Sequence, residues 1–152
     1  MLEAGAQAPE FTLPDLDGKA VTLAELHQDR PALLVFFKAS CPICQMTLPF
    51  LNRLREKLTV VTISQDDARA TQRFRARFGV TVPALLDDEK GGYRISNAYR
   101  ISNVPSLFLV EPDGVISRAL SGFSKADMEA IAERVGATIF EAGEAVPAFR
   151  PG

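Results

Sequence analysis

The stretch VFFKASCPICQMTLPFL, residues 35–51, holds both cysteines of the chain, Cys41 and Cys44, as a C-x-x-C pair. On its amino side, PALLVFF (31–37) is continuously apolar with no alternation. That pattern predicts a central strand covered on both faces. On its carboxyl side, Met46, Leu48, Phe50, Leu51, Leu54 and Leu58 recur at helical spacing. A helix over Pro42 to Lys57 is predicted, kinked at Pro49. The cysteines therefore fall at a strand-to-helix junction. The first N–H groups of a helix have no partner inside it and carry the positive end of its dipole, so a thiolate at Cys41 is favoured. Cys44 lies one turn further on the same face, within bonding reach but more covered. Pro42 at the first helical position costs nothing, because its missing N–H would be unpaired anyway.

Such a pair suits disulfide exchange, which needs an exposed thiolate to attack and a second thiol to resolve the mixed disulfide. The plainer reading is two small buried residues on a helix, since free cysteine is commonly buried. The strand–helix junction and Pro42 favour the redox reading. A structural disulfide framework would use more cysteines at wider spacings. A structural zinc site needs four ligands, and His27 is the only histidine. No metal and no cofactor are expected.

Working outward, APEFTLPDLDGKAVTL (8–23) reads as two short strands around Asp17-Gly18, followed by a helical turn near Leu23 to Gln28. LTVVTIS (58–64) is a second buried strand. DDARATQRFRARF (66–78) is a helix capped by Asp66 or Asp67 and stopped by Gly79. A short strand at 82–86 and a polar helix near 93–99 follow. Strands at 106–111 and 115–120 are joined by Pro112-Asp113-Gly114, and Ser124 opens a last helix with Ala126, Met128, Ile131 and Val135 on one side. Residues 136–152 form a Pro/Gly-rich tail expected to pack on the body. Helices alternating with strands predict an α/β fold, a central sheet with helices on both faces. The pentapeptide YRISN occurs at 93–97 and again at 99–103, an offset too short for any repeat architecture.

At 152 residues, one domain over 1–152 is expected. The net charge is -2, and the arginines of the predicted helices stand among Glu56, Asp66 and Asp67. A solvated helix face is the better reading, so no nucleic-acid partner is expected. The longest apolar run, 32–37, is too short to span a bilayer. Met1 to Glu10 lacks the charged start and apolar middle of a secretory signal. As written the chain reads as cytoplasmic, or as an exported protein whose leader is absent from this sequence.

VFFKASCPICQMTLPFL resembles the strand–active-site–helix segment of TlpA-like disulfide reductases in the thioredoxin superfamily. The N-terminal hairpin sequence resembles one shared by TlpA-like proteins and peroxiredoxins. FGVTVPALLDD (78–88) and YRISNVPSLFLVEPDGVISRALSGF (99–123) are similar to the family's inserted helix–strand and its C-terminal half. The resemblance implies a thioredoxin-like fold with Cys41 and Cys44 as catalytic thiols. It also implies Pro42, Ile43, Val104 and Pro105 as the substrate-binding set, with Val104-Pro105 at the cis-proline position and Val104 offering backbone groups to a substrate strand. A trans proline opening an apolar strand is the alternative for Pro105. The partners implied are disulfide-containing proteins or small thiols, together with a redox partner.

Three positions depart from the family pattern. Ser40 stands where tryptophan often precedes the first cysteine, Val35 where thioredoxins carry a buried acid, and Thr47 where TlpA-like proteins often carry glutamate. The proton route of the resolving thiol is thus left without its usual carboxylate. Lys38 could act on Cys41 electrostatically but reads more readily as a solvated lysine. His27 is expected at the surface, Gly122 in a turn, and Phe36 and Phe37 in the core with Phe37 bordering the site. Pro42-Ile43 brings no charge or imidazole to the thiolate, which argues against an extreme oxidant. Two rival functions share the fold. A peroxiredoxin-like thiol peroxidase would carry Thr and Pro where this chain has Lys38 and Leu34. A copper-handling chaperone would exploit soft thiolates but add a nearby histidine.

Overall fold

The computed structural model describes all residues, Met1–Gly152. It opens with an antiparallel hairpin, β1 (Thr12–Pro14) and β2 (Ala20–Thr22). Asp15 accepts the N–H groups of Asp17 and Lys19 across its turn. Thr22 then starts α1 (Leu23–Leu26) through a reciprocal cap: its Oγ1 accepts the Glu25 N–H while Glu25 accepts the Thr22 N–H at 2.7 Å.

The apolar run forms β3 (Ala32–Phe37), every residue buried. α2 (Pro42–Leu51) follows, ending earlier than its apolar spacing predicts. Pro49 cannot donate to the carbonyl one turn back, and the chain continues from Asn52 as a single 3₁₀ turn to Leu54. β4 (Thr59–Ser64), α3 (Ala68–Phe78) and β5 (Ala84–Leu86) complete two parallel crossovers, β3 to β4 and β4 to β5. Asp67 caps α3 by accepting the Ala70 N–H at 2.8 Å, and Gly79 closes it in the left-handed conformation at φ 67°. Asp66, the other expected cap, is used elsewhere.

After a 3₁₀ turn at Glu89–Gly91 come α4 (Arg94–Ala98), β6 (Ser106–Val110), β7 (Ile116–Ser121), β8 (Phe123–Ser124), α5 (Lys125–Arg134) and β9 (Phe149–Arg150). The main sheet has the order β5-β4-β3-β6-β7, with β6 antiparallel to both β3 and β7. It is mixed, parallel across β5, β4 and β3 and antiparallel from β3 through β6 to β7, with β3 at its centre.

Alternate residues of β3 feed two separate cores, because successive side chains point to opposite faces. Leu33, Val35 and Phe37 pack with Leu48 and Leu51 of α2, Phe74 of α3, and Met128 and Ile131 of α5. Leu34 and Phe36 pack on the other face with Phe11, Leu13 of the hairpin, Leu23 of α1, Ile95 and Tyr99. On α5, Ala126 is exposed and Ala132 is buried in its place, a correction to the predicted apolar side. The tail packs as expected: Ile139 is buried, Phe140 stands edge-on to Phe50, and Arg53 donates to both carboxylate oxygens of Glu144 at 2.7 and 2.9 Å. That pairing holds the Glu144 carboxyl at about 2, below its ordinary value. No helix is long and apolar enough to cross a membrane.

Candidate functional site

Cys41 is the N-cap of α2, with extended backbone (φ −82°, ψ 114°) and Pro42 directly behind it at the first helical position. Its sulfur accepts the Cys44 N–H at 3.0 Å. A cap residue usually offers an oxygen to that donor; here a thiol sulfur takes its place, in a geometry that suits negative charge. Cys41 is half-buried and Cys44 wholly buried among Val35, Phe37 and Leu48, and both are free thiols. Burial, and then the contact with Cys41, pushes the Cys44 thiol well above its ordinary pKa.

The loop carrying Cys41 is gripped from two sides. Asp66 accepts the Ala39 N–H at 2.7 Å, and Gln45 donates to the Ala39 carbonyl at 2.9 Å. Both Asp66 and Gln45 were missed as positioning residues by sequence reasoning. An aspartate before a helix signals a cap, and two in succession give no sign of which one turns away.

From the far side of the chain comes Val104. Its carbonyl oxygen lies 3.5 Å from Cys41 Sγ, close enough to accept the thiol hydrogen. The Val104–Pro105 peptide is cis. Pro105 itself is buried, and its carbonyl accepts the Gly122 N–H at 2.8 Å. Of the expected substrate-binding set, Pro42 is exposed and Ile43 half-buried beside the thiols. The remaining candidates sort clearly. Lys38 is exposed, whereas Phe36 and Phe37 are fully buried. Phe37 shares its core with Cys44 and packs against Phe74, ring centroids 4.8 Å apart and tilted by 41°. His27 is half-buried rather than at the surface, its Nδ1 donating to the Pro112 carbonyl. Pro112 lies in the turn between β6 and β7. Thr47 is wholly buried and spends its hydroxyl on the Ile43 carbonyl at 2.7 Å.

Leu34, where a peroxidase would have proline, belongs to the opposite core from Cys44. No group of three His, Cys, Asp or Glu side chains gathers anywhere. The largest surface cavity, about 540 Å³ and lined by Glu10, Phe11, Thr22 and Arg94, opens on the face away from the cysteines. Cys41 is part-exposed above the wholly buried Cys44. This geometry can present one sulfur to a partner while keeping a second in reserve beneath it.

Fold and site together define a thioredoxin-fold protein with a dithiol at a helix start. The chain belongs to the AhpC/TSA family, whose model matches residues 4–119. Among curated proteins it is similar to the thiol-disulfide oxidoreductase ResA of Halalkalibacterium halodurans, 28% identical over 128 residues, covering 80% of this chain and 70% of that one. ResA of Bacillus subtilis is 26% identical over 127 residues, 80% of this chain and 69% of its own. Among solved structures, the thioredoxin domain of a thiol-disulfide oxidoreductase from Bacteroides vulgatus superposes with a TM-score of 0.76 at 23% identity. It covers 88% of this chain and 98% of that domain. That last likeness shows the fold.

Proposed function

We propose that the chain, as one thioredoxin-like domain over 1–152, is a thiol–disulfide oxidoreductase of TlpA-like type in which Cys41 attacks and Cys44 resolves. The observation that carries this reading is the unequal pair. Cys41 Sγ caps the helix at 3.0 Å from the Cys44 N–H and remains reachable, while Cys44 is fully buried behind it. The ResA names of the curated relatives point the same way.

The chemistry balances as two displacements at sulfur. The Cys41 thiolate attacks one sulfur of a substrate disulfide; that S–S bond breaks and the other sulfur leaves as a thiolate that takes up a proton. Cys44 then gives up its proton and attacks Cys41, releasing the second substrate sulfur as a thiol. The chain ends as the Cys41–Cys44 disulfide, oxidised by two electrons, and the substrate is reduced by two. A redox partner returns the dithiol by the reverse steps. The exposed Pro42 and half-buried Ile43 form the shoulder over which a substrate approaches, and the Val104 backbone flanks the attacking sulfur. The partners are therefore protein or small-molecule disulfides.

Equilibration with glutathione buffers tests the proposal. The reading expects a single two-electron transition in which the intact mass loses two hydrogens. Separate glutathione adducts on the two cysteines, with no internal disulfide at any ratio, would contradict it.

A further inference from the structure

The tail of this sequence returns to the thiol site. β9 (Phe149–Arg150) runs antiparallel to β8, pairing Phe123 with Arg150 and Ser124 with Phe149, and the Lys125 N–H donates to the Ala148 carbonyl at 2.9 Å. Beyond that ladder the backbone passes directly over Gly122 and Val104. A Cβ on Gly122, whose φ is +76°, would stand 2.5 Å from the Arg150 carbonyl oxygen and 2.9 Å from the Gly152 nitrogen. A Cβ on Gly152 would stand 2.7 Å from the Val104 carbonyl oxygen, the same oxygen that Cys41 Sγ approaches at 3.5 Å. Glycine at both positions lets backbone lie on backbone. The positive φ of Gly122 meets the expected turn; the close approach of the tail is a second demand on the same residue.

We propose that residues 148–152 are a specificity element of the thiol site: an internal strand that occupies the edge beside Cys41 where an extended polypeptide would lie. The inference rests on the exchange reading above and adds to it which disulfides gain access. A small disulfide needs only to reach Cys41, a residue that the tail leaves half-buried. An extended chain seeking backbone pairing along Val104 and Gly122 meets the tail first and has to displace it. Displacement is feasible because the ladder is two residues long, both residues of β9 are exposed, and Phe149 is 55% exposed. Upstream, the Arg53–Glu144 pair and Val146 hold the segment to the body, so a released tail stays close.

The test compares single-turnover reduction of two disulfides by the reduced protein: insulin, which presents extended chain, and hydroxyethyl disulfide, which has no backbone to pair. One variant lacks residues 147–152; a second, Gly152→Ala, keeps the full length and adds the Cβ that would press on Val104. The insulin rate constant should rise about fivefold on deletion, the scale of losing one short exposed strand pairing, and less in Gly152→Ala. The hydroxyethyl disulfide rate should stay unchanged in both variants. A peptide of sequence PAFRPG added to the deletion variant should slow insulin reduction again. An unchanged insulin rate, or an equal rise with both disulfides, overturns the specificity role. Failure of the unaltered protein to reduce either disulfide overturns the exchange reading and this inference with it.

Discussion

The proton on Cys44 is the least supported element of the site. Resolution requires this thiol to ionise, yet burial and its Cys41 neighbour hold its pKa well above the ordinary value. The sign follows directly: a raised pKa keeps the thiol protonated at neutral pH, so resolution should be slow there and accelerate as pH rises. Val35 offers no carboxylate, and the Thr47 hydroxyl is already committed to the Ile43 carbonyl. Thr47→Glu places a general base one helical turn from Cys44. It should raise the resolution rate at pH 7 and flatten its pH profile, at a cost of about 1–3 kcal/mol from the buried charge. Stopped-flow release from a Cys41 mixed disulfide between about pH 6 and 10 reads both effects, with denaturant titration reading the cost. Superimposable profiles would remove Thr47 from the account. At this scale the thiols were legible, since a C-x-x-C at a helix start carries its own physical meaning. Asp66 and Gln45 were not, because their partner is a single peptide group that leaves no trace in spacing.

Among the elements, the start of α3 is tied to the start of α2. Asp67 caps its own helix, and Asp66 reaches across to the Ala39 N–H in the loop before Cys41. Asp66→Ala leaves that part-buried N–H without its acceptor, a loss of about 1–3 kcal/mol. The Cys41 loop should loosen, and the rate of disulfide reduction should fall while α3 persists by circular dichroism. Asp66→Asn keeps an acceptor oxygen and should restore most of the rate; equal losses in both variants would mean that the hydrogen bond does not position the loop. Element boundaries were legible where caps are local, as at Gly79 and Ser124. They were less so where tertiary contacts decide. The two YRISN copies show why. Tyr93 sits left-handed before α4 and is half-buried, whereas Tyr99 follows that helix fully buried, with its hydroxyl donating to the Pro9 carbonyl at 2.8 Å. One pentapeptide takes two structures because packing outweighs local preference.

In the whole molecule, β3 separates two cores and carries the loop that ends in Cys41. The apolar runs announced that layered arrangement, since a strand without alternation has to be covered twice. The closeness of Val104 to Cys41 came only from family resemblance, because those residues are joined through strand order, which periodicity does not reveal. The return of residues 148–152 to the same edge had no signal beyond a Pro/Gly-rich composition. What the molecule builds is one reachable sulfur over one buried sulfur, and its function depends on that inequality. The direct test is to incubate Cys44→Ser with insulin and map the trapped species by mass spectrometry. The account predicts a stable mixed disulfide on Cys41, absent in Cys41→Ser. Faster alkylation of Cys44 than of Cys41 in the reduced protein, or no adduct on Cys41, would contradict it.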